Sequence, residues 1–308
     1  VRRAGSLSIS RTSFRGWEDA YLMTNGDVQV VVVPQIARIM KYATAGGENL
    51  LWVNDELTPE VTGQQTAPPD SSEWINYGGY KLWPAPQKDW GWPPDWQLDR
   101  GPCRVEVTEA GALRLIGAPS PQYGLRFDRE ITLALEGSRL EVVQTAVNVS
   151  DEPITASIWD VTQVKGDCVG FVPLGPGAEY RTGEGQALDE QWSRSGDMLL
   201  VKPTGRTGKV FISGPPGWFG CRRGELVYLK LFDIAADPPP EPETPREVYT
   251  GDMGYTELEV VGPAVSLQPG ESTTLKETWY LLPAGPKADT DAGLIETVTV
   301  QVGSLTGR

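Results

Sequence analysis

The chain has 308 residues, enough for one large β domain or two ordinary ones. Its formal charge of −14 makes nucleic acid and anionic membranes poor partners. It contains no histidine, which removes Ser-His-Asp and Cys-His catalysis, imidazole acid–base work and HExxH zinc chemistry together. Proton transfer in this chain therefore falls to Asp, Glu, Lys, Tyr or a perturbed Cys. Cys103, Cys168 and Cys221 lie far apart with no CxxC pair, so neither a zinc ribbon nor a thioredoxin-like centre is expected, and a disulfide is not indicated. No metal or cofactor is called for. No apolar run approaches the ~18 residues of a membrane span. No signal peptide is visible, and the start at Val1 suggests a trimmed or processed chain.

In chain order, the first strong element is Asp27–Val33, a β-branched run that predicts a buried strand. Next comes Trp74 to Trp96, which holds five of the eleven tryptophans in 23 residues. Its glycines and prolines predict an irregular loop rather than a strand or helix. Flat aromatics interleaved with Lys81, Gln87, Asp89, Asp95 and, just beyond, Asp99 suit a sugar. A pyranose offers an apolar C–H face for an indole and a rim of hydroxyls for polar groups. The same tryptophans could instead cover the core.

Alternating strands are expected at Cys103–Thr108, Leu113–Leu115 and Leu125–Leu133. The last forms a predicted hairpin with Leu140–Asn148 across Glu136–Arg139. Further strands are expected at Ile154–Val164, Met198–Val201, Lys209–Ser213, Leu226–Phe232, Tyr255–Val261, Glu271–Leu282 and Glu296–Val302. The helix signal is confined to a short piece near Ala288–Ile295. Many strands with almost no helix predict an all-β sandwich or barrel. The stretch Asp237–Glu247, rich in Pro and acids, reads as an exposed loop within one domain spanning 1–308.

Glycine-rich Thr204–Val210 lacks Walker spacing, and Asp289-Thr-Asp291 lacks the later acidic ligand of a calcium loop. Two strand motifs carry more chemistry. In Trp159–Gln163, alternation puts Asp160 and Thr162 on one face and Trp159, Val161 and Gln163 on the other. In Thr256–Pro263 it puts Glu257 and Glu259 on one face. Two neighbouring carboxylates in a pocket repel, which raises one pKa and tunes a general acid or base.

Gly78-Gly79-Tyr80-Lys81-Leu82-Trp83-Pro84-Ala-Pro-Gln87, then Trp90-Gly-Trp92-Pro-Pro and Asp99-Arg-Gly-Pro102, resembles an uncharacterised bacterial family (DUF4380-like) of the galactose mutarotase-like, or aldose 1-epimerase-like, superfamily. Glu257-Leu-Glu259, Leu267-Gln-Pro-Gly-Glu271 and Glu277-Thr-Trp-Tyr-Leu281 are similar to the mutarotase ending, over a resemblance covering roughly residues 20 to 283. The resemblance implies a large antiparallel β-supersandwich with a carbohydrate site on its concave face. It implies a base at Glu257 or Glu259. It also implies that Lys81 stands where mutarotases place a sugar-binding histidine beside a glycine pair. Mutarotases add a histidine acid to the glutamate, and this chain has none, so ordinary mutarotation is not expected.

The residues and the resemblance together predict a carbohydrate-active protein whose partner is a saccharide or glycan end. The sugar stacks on Trp83, Trp90 or Trp92. Lys81, Gln87 and Asp95 bind hydroxyls, with Asp160 as a further substrate contact. Glu257 or Glu259 acts as base with Lys81, a tyrosine or the second carboxylate as acid. The reaction is epimerisation, glycoside hydrolysis or elimination from a uronic acid, in which Lys81 and Arg126 neutralise the sugar carboxylate. The alternatives are a non-catalytic sugar-binding module on the same scaffold, and an assembly protein using the tryptophan loop as an interface.

Overall fold

Leu140–Asn148 shows why these sequences become strands: buried and half-buried side chains alternate strictly along all nine residues. That is the two-residue period of a sheet with one face on a core. The computed structural model describes residues 6–69, 71–183 and 191–307. Among them are two ten-stranded sheets and a two-stranded ribbon, Ile154–Ala156 with Val265–Leu267.

The first sheet runs, edge to edge, Ser8–Phe14, Trp17–Thr24, Val28–Val33, Arg38–Thr44, Tyr80–Pro84, Ile158–Lys165, Tyr255–Val261, Arg246–Thr250, Gly208–Ile212, Tyr180–Thr182. The second runs Trp192–Ser195, Met198–Val201, Val169–Pro173, Trp218–Arg223, Leu226–Phe232, Ser272–Pro283, Leu140–Asn148, Leu125–Leu133, Ala112–Ile116, Arg104–Val107. The expected hairpin pairs from Leu125↔Asn148 to Leu133↔Leu140.

The inner faces meet in one large core. Tyr80, Leu82, Leu258 and Val260 from the first sheet pack in the same cluster as Leu115, Val142, Tyr228 and Trp279 from the second. Burying that apolar surface is the main force holding the layers together. The outer face of the second sheet is covered by a helix, Asp291–Thr306, whose Leu294, Val298 and Val302 cluster with Phe171, Leu200, Val227 and Leu229. The outer face of the first sheet carries two smaller clusters, one around Trp17 and Tyr77, the other around Trp83, Trp90 and Trp159.

Three local expectations are corrected. Glu296–Val302 is helical, although its Thr-Val alternation reads as a strand. Leu294, Val298 and Val302 also fall at a four-residue spacing that a helix buries on one side, and tertiary packing overrides the weak β propensity. The tryptophan stretch is not wholly irregular, because Tyr80–Pro84 is a fully buried strand. Finally, Asp237–Glu247 is only partly an exposed loop. Glu243 is buried, and Arg246 and Glu247 already belong to the Arg246–Thr250 strand. All three cysteines are free thiols.

Candidate active site

The strand Tyr80–Pro84 starts from Gly78 and Gly79, both at positive φ (89° and 74°). A Cβ on Gly78 would meet the Trp52 carbonyl oxygen at 2.3 Å, and one on Gly79 the Ile39 carbonyl oxygen at 2.4 Å. Only glycine gives this turn at that closeness. It hands the chain to its neighbour in the register Val161↔Lys81 and Trp159↔Trp83. The next strands continue with Gln163↔Glu257, Val161↔Glu259, Glu247↔Glu259 and Tyr249↔Glu257. Alternation thus turns Lys81, Trp83, Trp159, Gln163, Glu257, Glu259, Glu247, Tyr249 and Lys209 to the outer face of the first sheet.

Over this face lies a cavity of about 320 Å³ lined by Trp74, Trp83, Gln87, Trp92, Trp159, Lys209, Tyr249, Tyr255, Glu257 and Glu259. The indoles form one edge-to-face assembly, with ring centroids 5.4 Å apart for Trp83–Trp159, 5.7 Å for Trp74–Trp83 and 5.1 Å for Trp74–Trp92. Such pairs are stable arrangements of the ring quadrupole. Trp83 is fixed from behind, because its Nε1 donates at 2.7 Å to Asp99, which also accepts from Arg38 at 3.1 Å. Trp92 is 56% exposed and forms the rim.

The two glutamates divide. Glu259 Oε2 accepts from Trp159 Nε1 at 2.8 Å and from Lys209 Nζ at 2.9 Å, and Lys209 also bridges to Glu247 at 2.7 Å. Burial works against the Lys209 charge, but these two carboxylates hold it protonated, its pKa raised. Burial pushes the Glu247 carboxyl up to about 8. Glu259 is thus committed to an internal network.

Glu257 is held more loosely. Its Oε1 accepts from Gln163 Nε2 at 2.8 Å and from Lys81 Nζ at 3.4 Å, and its side chain keeps 7% exposure against 1% for Glu259, while neither glutamate's second oxygen takes a hydrogen bond from a described residue. Burial raises its pKa above the usual carboxylate range, opposed by Lys81 and reinforced by Glu259. Lys81 is fully buried, its ammonium 4.3 Å from the Trp74 ring centroid and 4.2 Å from that of Trp83. Burial pushes it down to about 8 against the upward pull of Glu257. Two rings and a carboxylate replace its water. Tyr249 and Tyr255, raised by burial and then by neighbours including Glu257, keep their phenol protons.

Of the residues expected from sequence, Glu257, Glu259, Trp83, Trp92 and Gln87 line the cavity, and Lys81 backs it. Four others are placed elsewhere. Trp90 is buried behind Trp83, with Nε1 donating to the Pro84 carbonyl at 2.9 Å. Asp95 caps the Trp96–Arg100 helix, accepting from the Leu98 amide at 2.9 Å and the Ser120 hydroxyl at 3.2 Å. Arg126 lies on the second sheet in a bidentate pair with Asp128 at 3.0 and 2.8 Å. Asp160 faces the interior between the sheets, fully buried, where it pairs with Lys230 and accepts the Val260 amide. Its register partner is Val260 on the core face, so in this motif Trp159 and Gln163, and not Asp160, face the cavity side of the sheet.

Sequence reasoning missed Lys209, Glu247, Tyr249 and Tyr255 as site residues. Tyr255 sits two residues before Glu257 in a recognised strand, so parity alone could have found it. Among the described residues, no group of three or more His, Cys, Asp or Glu side chains is placed to hold a metal ion.

A family model described as "Domain of unknown function (DUF4380)" matches residues 20–282. No curated protein matches the chain significantly in sequence. In structure it is similar to a galactose mutarotase-like protein from Lactobacillus casei (TM-score 0.57, 10% identity, covering 85% of this chain and 100% of that one). It is similar too to a galactose mutarotase related enzyme from Lactobacillus acidophilus (0.57, 13%, 85% and 97%). A third likeness is to a galactose mutarotase-like protein from Clostridium acetobutylicum (0.53, 11%, 90% and 99%). At these identities the likeness is one of fold, the galactose mutarotase-like β-sandwich.

Proposed function

The chain belongs to the DUF4380 family, and we propose that it is a carbohydrate-active protein that holds a saccharide in the cavity over the first sheet and moves a proton at Glu257. The observation that carries this reading is the state of Glu257. One carboxylate oxygen is fixed by Gln163 and Lys81, the other takes no hydrogen bond from a described residue, and of the two glutamates it is Glu257 whose side chain is the more exposed, 7% against 1%, in a cavity walled by four indoles. Indole faces suit the C–H face of a pyranose. A raised carboxylate beside them, loosely held and open to the cavity, suits the sugar hydroxyl whose proton must leave.

Glu257 is the acceptor, and Tyr249 or Tyr255 is the O–H donor on the same cavity. Glu259 is held by Trp159 and Lys209 and serves to set the field. Lys81 is too buried to touch a sugar and acts as a positioning residue, its charge favouring the ionised form of Glu257. No step requires histidine. Epimerisation, glycoside hydrolysis and elimination all use such an acceptor, and the reaction is read from the product.

The test is Glu257→Gln, screened with neutral sugars, uronic acids and oligosaccharides by NMR for conversion and by titration for binding. The expected result is a loss of turnover of about 10²- to 10⁴-fold with affinity kept within a few-fold. Unchanged turnover in the variant would overturn the role of Glu257. Binding with no conversion by the wild type would make the protein a sugar-binding module.

A further inference from the structure

A second, larger cavity of about 670 Å³ lies beside the first, lined by Lys41 and Lys165 of the first sheet and by Arg223 at the end of a strand of the second. An aromatic wall divides the two. Tyr255 lines the first cavity and Trp52 the second, and their ring centroids are 4.8 Å apart. Gly251, in the lining of the second, lies against the same wall, where a Cβ would come within 3.1 Å of Tyr249 and 3.3 Å of Tyr255. A chain molecule bound in the first cavity would therefore leave it over Tyr255 and meet Trp52.

The charges around the second cavity run against those of the molecule. In a chain with a net charge of −14, its lining carries Arg15, Lys41, Lys165 and Arg223 against Asp55 and Asp167. The Lys41 ammonium donates to the Gln29 side-chain oxygen at 2.8 Å and pairs with no carboxylate among the described residues. The other three cations touch Asp55, Glu60, Glu48 and Asp167. Those carboxylates are 54 to 73% exposed, whereas the cations are only 23 to 37% exposed. Glu48 and Glu60 thus stand outside the lining, and in every pair the cation is the less exposed partner. Ion pairs so exposed are weak and give way to a competing anion.

We infer that the ligand is an acidic oligosaccharide. Its end residue fills the Glu257 cavity, and a carboxylate- or sulfate-bearing residue further along crosses the Trp52–Tyr255 wall to lie among Lys41, Lys165 and Arg15. This inference rests on the sugar reading of the first cavity and adds the substrate class. A neutral glycan has no use for four cations around one cavity. An anionic one gains charge-assisted hydrogen bonds from ammonium and guanidinium groups that are already in place.

The experiment uses the full chain and calorimetric titration with galacturonate, mannuronate and glucuronate oligomers of one to four residues, alongside their carboxyl-reduced neutral counterparts. At low salt the acidic tetramer of at least one series is expected to bind at least tenfold more tightly than its neutral counterpart. That advantage should shrink as salt rises. Lys41→Glu with Lys165→Glu, and the milder pair Lys41→Gln with Lys165→Gln, should abolish the advantage while leaving the affinity for the single residue unchanged. Equal binding of acidic and neutral oligomers that depends on Trp92 would overturn this inference alone. So would an acidic advantage that survives both double variants. If no saccharide binds and Trp92→Ala changes nothing, the reading of the first cavity fails and this one with it.

Discussion

Lys81 and Glu257 form a buried pair whose two members are each pushed toward neutrality by desolvation and pulled back by the other. The sign of a change at Lys81 follows. The ammonium favours ionised Glu257, so Lys81→Met removes an attraction and raises the Glu257 pKa further. The acid limb of the activity profile then moves to higher pH. Activity at pH 6 is expected to fall about tenfold relative to the wild type, about 1.4 kcal/mol, while the plateau at high pH is largely kept. A pH–rate profile checks this, and an unmoved acid limb would show that Lys81 only fills space. The sequence disclosed that Glu257 and Glu259 share a face, since this follows from parity. It did not disclose which one is locked by an ammonium and an indole and which stays the more open to the cavity. That depends on Trp159, Lys209 and Gln163, which arrive from distant parts of the chain.

Among the elements, the Tyr80–Pro84 strand does most to shape the site, and it is the one that local signals conceal. Gly78, Gly79 and Pro84 at its ends read as breakers. In the sheet they are the turn that starts the strand and the residue that ends it. Gly79→Ala would place a Cβ 2.4 Å from the Ile39 carbonyl oxygen and 2.7 Å from Met40 Sδ at a φ of +74°. It is expected to cost about 1–3 kcal/mol, to be seen as a lower urea midpoint, and to weaken ligand binding because Lys81 and Trp83 follow directly. A midpoint equal to that of the wild type would contradict this account of the strand. The hairpin Leu125–Asn148 was legible because its pattern is local and strictly alternating. The Asp291–Thr306 helix was legible only at its start, within the Ala288–Ile295 signal, because the Val and Thr residues that follow favour a strand. Only the apolar outer face of the second sheet explains why Leu294, Val298 and Val302 line up.

At the scale of the whole molecule, the layers are joined by charge as well as by apolar packing. Asp160 projects inward from the first sheet to Lys230 of the second, and Lys230 also lies 3.5 Å from Glu277. All three side chains are fully out of water. Removing one partner of such a group leaves an uncompensated buried charge, so Lys230→Met is expected to cost about 3–5 kcal/mol. Chemical denaturation would show it, and a cost under about 1 kcal/mol would mean that the two carboxyls share a proton and need no cation. Hydrophobic patterning anticipated the all-β sandwich but not this polar link. A lone aspartate among apolar residues reads equally well as a ligand contact or as an interior ion pair, and the partner lies 70 residues away.

The central claim is that the tryptophan-walled cavity over the first sheet receives a saccharide. Its most direct test is a titration of intrinsic tryptophan fluorescence, wild type against Trp92→Ala, with neutral sugars, uronic acids and oligosaccharides. Trp92 is 56% exposed, so the variant should fold with near-wild-type stability. The account predicts a saturable response in the wild type and a loss of affinity of about tenfold or more in the variant, about 1.4 kcal/mol. No response across the panel, or a response that Trp92→Ala leaves unchanged, would contradict it.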